Sequence, residues 1–319
     1  MAGNASISTR FIVISDTHDF EFGDDPTGPL NTHPLPKADV LLHCGDMTHV
    51  GGISAFKNCM KMLSNFDGEL KLVIAGSHDL ALDRNWRDYD SHPDRACVDE
   101  EALQDHTEAM EVMRGGLAKA AGVIYLEEGT HTFTLSNGAT FTIYASPYTP
   151  EFNGWGFPYS HTENRFDSAA ENPIPSFPDV HVIMTHGPPR MILDRCEDGN
   201  AGCGKLLQAV HRARPLMHCF GHIHEGYGAR RVSWVGEGDL ASSGETAPQG
   251  NRCPQQNSWP IEFGTQTLMV NAAIKDGGNR PRNAPWLIDL DLPPWRRESN
   301  RSQNHHCGVG NKNMNHMDH

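Results

Sequence analysis

Residues 11–18 read FIVISDTH, an apolar, β-branched run that stops at Asp16-Thr17-His18. Four more runs of this kind follow. Residues 39–44 (DVLLHC) end at Gly45-Asp46, and 71–75 (KLVIA) end at Gly76-Ser77-His78-Asp79. Residues 180–185 (VHVIMT) end at His186-Gly187, and 216–220 (LMHCF) end at Gly221-His222-Ile223-His224. Short, nearly continuous apolar runs suit strands buried on both faces. The segments between them are long enough for crossover helices. One of these, 53–65 (ISAFKNCMKMLSN), sets Ile53, Phe56, Met60 and Leu63 at helical spacing. The pattern predicts a layered α/β fold.

A second group of segments alternates more. Residues 123–126, 131–136 and 139–145 read as antiparallel strands, with Asn137-Gly138 a strong hairpin signal between the last two. Residues 267–274 and 285–291 read as two late strands completing a second sheet. Residues 20–36, 147–178 and 236–260 are rich in Gly, Pro and polar residues and read as long loops, the last as a surface insertion. From Pro293 onward the composition predicts a disordered tail, 293–319. His305, His306, His316 and His319 fall in it and are set aside.

The chain has 319 residues and a formal charge of −14. An acidic surface repels phosphate backbones, which argues against extended nucleic acid as a partner. No stretch reaches the roughly 18 apolar residues of a membrane span. The start, MAGNASISTR, lacks the apolar core of a secretion signal. No membrane partner and a cytoplasmic location are therefore expected. The eight cysteines form no CxxC pair and read as reduced thiols, with Cys44 and Cys219 in apolar runs as core residues.

The ends of the runs carry the chemistry. In open α/β sheets, ligands bind beyond the carboxyl ends of the strands. Imidazole and carboxylate together suit Zn, Fe and Mn. An Asp-x-His or His-x-His pair on extended backbone would aim both side chains the same way. One such pair alone is usually a capping Asp or a surface His. Five in one chain, each after a strand candidate, point to a common centre.

In their order, D16-x-H18, G45-D46-x4-G51, G76-S77-H78-D79, T185-H186-G187 and G221-H222-x-H224 resemble the pattern of calcineurin-like metallophosphoesterases. THGPP (185–189), Asp194-Arg195, Gly202-Cys203, FGHIHEGYG (220–228) and ASPYTPEFNGWGF (145–157) are similar to the metallophosphoesterase-domain-containing branch, which is class III cyclic-nucleotide-phosphodiesterase-like. The resemblance implies a four-layer α/β/β/α sandwich of two mixed sheets flanked by helices, in one domain over 1–292 with an insertion at about 236–260. It implies two divalent ions (Mn, Fe or Zn), one held by Asp16, His18 and His224, the other by His186 and His222, with Asp46 bridging. His78 would serve as proton donor, with Asp79 orienting it. The implied reaction is hydrolysis of a small phosphate ester, such as a nucleotide or cyclic nucleotide, by attack of a metal-bound hydroxide.

Ser77 departs from the family, which has Asn there. A neutral hydroxyl is the shorter and poorer ligand, so Ser77 is expected to be a weak or absent one and the second ion to bind less tightly. Two alternative readings follow: an attenuated nucleotide-binding protein, and a repurposed metallohydrolase or lyase acting on a non-phosphate metabolite. His49 and Arg190 are candidate substrate contacts. His43 reads as a core histidine or one that supports a ligand. Trp155, Phe157 and Tyr159 read as packing for their loop or as a surface on which a base stacks.

Overall fold

The alternation of the first strand sets up the layers. In β1 (Ile7–Ile14), Phe11 and Val13 point into one core and Ile12 and Ile14 into another. The next strands repeat this. β2 (Val40–His43) divides Val40 and Leu42 from Leu41, and β3 (Leu70–Val73) divides Leu72 from Val73. A sheet apolar on both faces needs a cover on each side. The computed structural model describes residues 6–22, 36–86, 100–234, 251 and 257–295, and it supplies both covers.

On one side lie α1 (Ile53–Ser64), α2 (Glu100–Arg114) and α3 (Gly116–Ala121). The stripe read from the sequence is the buried face of α1: Phe56, Met60 and Leu63 are sealed, and Ile53 packs at its edge. Full burial of a side chain such as Phe56 contributes about 1.5–3 kcal/mol. Lys71 of β3 also points into this layer. Its ammonium donates to the carbonyls of Leu63 and Ala121, both at 2.9 Å, and so satisfies the carboxyl ends of α1 and α3.

On the other side lies a second sheet. β4 (Val123–Tyr125) still belongs to the first. β5 (Gly129–Thr134), β6 (Thr140–Ser146), β9 (Val182–Thr185), β12 (Met217–Phe220), β13 (Gly228–Ser233) and β15 (Gln266–Asn271) form the second, in the order β13-β15-β12-β9-β6-β5. Short pairs stand apart: β7 (Thr149–Pro150) with β8 (Pro158–Tyr159), and β10 (Arg195–Cys196) with β11 (Gly199–Asn200). Phe141, Ile143, Val182, Met184, Met217, Cys219 and Val270 meet the first sheet in the central core. The outer face of the second sheet is covered by α4 (Gly204–Ala213) through Leu206, Leu207 and Val210. The result is the expected α/β/β/α sandwich. Both sheets are mixed, and no helix among the described residues is long and apolar enough to cross a membrane.

Two strands differ from the sequence expectation. β16 (Trp286–Leu292), expected in the second sheet, returns to the first and pairs antiparallel with β1 over seven residues, from Ile7 with Leu292 to Val13 with Trp286. Alternation of apolar residues specifies an inward face but not which sheet supplies it. β4, grouped with the antiparallel strands, pairs parallel with β3, because α2 and α3 make the crossover between them. β14 (Asn257–Ser258), at the end of the expected insertion, pairs with β16, while 235–250 and 252–256 lie outside the described residues. The first residues of the expected tail are held in place: Trp295 donates its backbone N–H to Gly138, next to a bridge between Ala139 and Pro294. Residues 296–319 lie outside the described part.

The loop 147–178 is packed down. Arg165 holds Glu128 through two nitrogens at 2.8 and 2.9 Å, and its guanidinium sits 3.4 Å from the centre of the Tyr148 ring. Arg212 takes the carbonyls of Phe166 and Ile174.

Candidate metal centre

The ligand candidates sit where the strands stop, but not on extended backbone. Asp16, His18, Asp46 and His222 have φ of 54°, 41°, 53° and 66°, all left-handed. The same-side argument for Asp16-x-His18 and His222-x-His224 is therefore replaced by one of tight turns. A left-handed non-glycine residue costs about 1–3 kcal/mol. Hydrogen bonds between the strand ends offset this. Asp16 donates to the carbonyl of Gly45 (2.9 Å) and His18 to that of Asp46 (3.1 Å), and His222 N–H lies 3.1 and 3.0 Å from the two Asp16 oxygens. Glycines permit the approach. A Cβ at Gly76 would collide with the backbone nitrogen and carboxylate of Asp46, and one at Gly221 with the carboxylate of Asp16.

Two triads result, Asp16-His18-His224 and Asp46-His186-His222, each with ligand atoms within 4.8 Å of one another. His224 Nε2 stands 3.4 Å from Asp16 Oδ1 and 3.3 Å from His18 Nε2. Asp46 faces both groups: Oδ1 is 3.3 Å from His186 Nε2, and Oδ2 is 3.7 Å from His18 Nε2. The imidazoles are locked from behind. Nδ1 of His18, His186 and His224 faces the carbonyls of Thr48 (3.1 Å), Cys44 (2.9 Å) and Asp276 (3.3 Å). A carbonyl only accepts, so Nδ1 holds a proton and Nε2 is the nitrogen turned towards the centre.

The electrostatics fit ion binding. Burial disfavours the charged Asp16 carboxylate, but the hydrogen bond and charge of His224, with His186, outweigh it and hold the group at about 2. Burial pushes His18 and His222 down to about 4. Burial also opposes charge on His186, yet Asp46 and then Asp16 raise it to about 9. Without ions, His186 keeps a proton for Asp46; with ions, that positive charge is replaced. Two carboxylates and four neutral imidazoles suit divalent transition ions.

Ser77 stands inside the second triad. Its Oγ is 3.3 Å from His186 Nε2, 3.3 Å from His222 Nδ1 and 3.5 Å from Asp46 Oδ2. His78 is half-buried beside it. Its backbone N–H donates to Asp46 Oδ1 at 2.8 Å, and its Nδ1 donates to the carbonyl of His49 at 2.7 Å. Its ring stacks on Trp155, with centroids 3.8 Å apart and planes at 26°. His49 lies on the other side, its ring 5.8 Å from that of His78, and its side chain is exposed. With His18 and His78 it forms a third group of imidazoles.

Asp79 does not orient His78. Its buried carboxylate accepts from the backbone of Met47, Thr48 and Gly76 at 3.2, 2.9 and 2.9 Å and from the Thr48 hydroxyl at 2.9 Å. It thus ties the loop after Asp46 to the loop before Ser77. Burial and the charge of Asp46 push its carboxyl up to about 7 against those hydrogen bonds. His43 is a sealed core residue whose Nε2 meets the Thr17 hydroxyl at 3.0 Å. Arg190 lies outward, exposed, on the cleft that opens from the centre. That cleft has a volume of about 1080 Å³.

Sequence reading missed the supports behind the ligands. Lys275 donates to the His18 carbonyl at 3.0 Å, and the Asp276 carbonyl holds His224. Asn271 donates to the carbonyls of Ile223 and Leu193 at 2.8 and 3.1 Å. No motif marks these residues. Trp155 had a signal, the aromatic-rich loop, but nothing in it named His78 as the partner.

The sequence model of the calcineurin-like phosphoesterases matches residues 9–226, a span that contains both triads and His78. The chain belongs to the calcineurin-like phosphoesterase family. This is a family of metal-dependent phosphoesterases with a dinuclear divalent site, and the two triads can hold such a pair. Metallophosphoesterase domain-containing protein 1 of Homo sapiens and its Mus musculus counterpart are each 33% identical over 294 residues, covering 89% of this chain and 72% of theirs. The probable rhamnogalacturonate lyase C of Emericella nidulans is 33% identical over 228 residues. That match covers 70% of this chain but 18% of the lyase, so the chain spans under a fifth of that relative.

Proposed function

We propose that this phosphoesterase hydrolyses a small phosphate ester at a two-ion centre, with Asp16, His18 and His224 holding one ion, His186 and His222 the other, and Asp46 between them. The observation that supports it most is Asp46, whose two oxygens face two different imidazole groups. When bound, such ions activate water and neutralise charge at a phosphoryl group.

The chain's own residues supply the rest. His78 has given Nδ1 to the His49 carbonyl, so Nε2 is the ring nitrogen left to exchange a proton with the leaving oxygen. Trp155 fixes the plane of that ring and keeps water from one face of it. Asp79 holds the two loops on which Asp46 and His78 ride.

The test is hydrolysis of bis-p-nitrophenyl phosphate and of 2′,3′-cyclic nucleotides by Mn²⁺-loaded protein. Turnover lost in His78→Ala supports the reading; a folded, two-ion protein inert on both overturns it. Ser77 motivates a second reading, a nucleotide-binding protein of attenuated activity, because a hydroxyl fills the ligand position between His186 and His222. A large gain in turnover in Ser77→Asn favours attenuation, and unchanged turnover removes it.

A further inference from the structure

The cleft above the centre is much larger than a phosphate group, and its walls are unequal in charge. Glu151, Glu197, Asp198 and Glu225 line it, and all four are exposed. Among the described residues none of them forms an ion pair or a side-chain hydrogen bond. Two cations line the same cleft, Arg190 and Lys205. Lys205 is engaged, since its ammonium donates to the carbonyls of His161 and Glu163 at 2.9 and 2.7 Å. Those carbonyls are neutral, so the walls carry four exposed carboxylates against two cations.

A phosphate ester bound at the metal centre sends its organic arm into this cleft. A second anionic group on the arm would meet the field of those carboxylates and be repelled. A positive group would be attracted. The aromatic residues add to this preference. Phe152 is 61 % exposed, an unusual state for a large apolar side chain, and it follows Glu151 directly. Trp155 and Tyr159 line the cleft with it. Aromatic faces beside carboxylates bind ammonium groups, methylated ones included, by cation–π attraction combined with charge.

We propose that the preferred substrate is a phosphate ester whose organic arm carries an ammonium group, held between the Phe152–Trp155 wall and the carboxylates of Glu151, Glu197 and Asp198. This rests on the phosphoesterase reading above and narrows it. The metal centre at the floor makes the cleft a site; the carboxylates decide the charge it accepts. Nucleoside polyphosphates and esters with carboxylated arms are disfavoured by the same walls.

The test uses three 4-nitrophenyl phosphodiesters that differ only in the arm: choline, its uncharged 3,3-dimethylbutyl isostere, and an arm of similar length ending in a carboxylate. The expected order of kcat/KM is choline over isostere by about tenfold, the scale of one exposed ion pair with a cation–π contact, and isostere over carboxylate by a similar factor. In the double variant Glu197→Gln, Asp198→Asn the choline-to-isostere ratio narrows by at least threefold. Equal rates for choline and isostere, or a carboxylate preference, overturn the proposal, as does a ratio unmoved in both the double variant and Glu151→Gln. Bis-p-nitrophenyl phosphate separates the two readings. If it and all three esters are inert, the phosphoesterase reading fails, and calorimetric binding of the same three arms as methylphosphonate monoesters still reads the charge order. Tighter binding of the choline arm supports the proposal, and equal or reversed affinity overturns it.

Discussion

The His78 imidazole lies flat against the Trp155 indole, 3.8 Å from centre to centre. Trp155 reaches that position from a turn that is itself anchored, because Gly156 donates its N–H to the Ser77 carbonyl at 2.9 Å and Trp86 donates to Gly154. Trp155→Ala removes the stacked cover from one face of the ring and lowers kcat by about tenfold, a part of the 10²–10⁴ that a positioned acid supplies. Trp155→Phe restores most of the rate. Steady-state kinetics, with thermal melts to show an unchanged fold, check this.

Ser77→Asn lengthens the side chain where Oγ now stands 3.3 Å from ring nitrogens of both His186 and His222. An amide oxygen is the stronger donor to a metal. The variant binds its second ion about tenfold more tightly, the lower end of the 10–100-fold effects seen when supporting groups change. Metal titration followed by calorimetry measures it. Identical two-step isotherms in the two proteins would sink the idea.

Chelation lowers stability. Ions that bind only the folded chain stabilise it by about 2.7 kcal/mol at a hundredfold excess over Kd. The apo protein therefore melts earlier than the Mn²⁺-loaded protein, and the gap grows with metal concentration. Scanning calorimetry across a metal series reads it directly.

Asp79→Asn breaks a fully buried four-bond network. An amide has one accepting oxygen and brings two donors into a site that offers only donors. The expected cost is about 2–4 kcal/mol, since unsatisfied buried groups cost 1–3 kcal/mol each. Activity falls with it, because both loops shift. Urea denaturation gives the first number. A variant as stable as the parent would contradict the role assigned to Asp79.

His218 gives a pH dependence of stability. Its ring is fully buried, Nε2 donates to the Thr185 hydroxyl at 2.8 Å, and Nδ1 has no partner among the described residues. Burial pushes it from 6.5 down to about 3. Below pH 6.5 the unfolded chain takes up a proton that the folded chain refuses, so stability falls as pH falls. By pH 5 the loss is about 2 kcal/mol from this group, at 1.36 kcal/mol per unit. His43, lowered to about 4 by burial, acts in the same direction. His218→Gln flattens the slope between pH 7 and 5 by that amount, measured by denaturation of metal-free protein.

Most of the candidate site could be read in the sequence because strand ends are marked twice, by an apolar run and by the Asp, His and Gly that end it. Asp16, His18, Asp46, His186, His222 and His224 all come from such ends, and the structure brings them together. The hairpin at Asn137-Gly138 was equally plain, because its turn places Gly138 at a φ of 87°, which favours glycine. What stayed hidden depends on pairing across long sequence distances. The partner of β16, the support of His224 by Asp276 and the cover of His78 by Trp155 all join segments with no local pattern in common. The role that the resemblance implied for Asp79, orienting His78, fails for a related reason: its carboxylate turns towards Met47 and Thr48.

The antiparallel seating of β16 against β1 has a consequence for synthesis. Arg10 and Asp289, joined side chain to side chain, are 279 positions apart. A chain leaving the ribosome presents Asp16 and His18 early, but the strand on which they end waits for its antiparallel neighbour until residues 286–292 have emerged. Until then β1 offers an unpaired edge, the kind of surface that recruits foreign strands. Expression from a message truncated before residue 286 thus yields insoluble protein even though every ligand candidate has already been made.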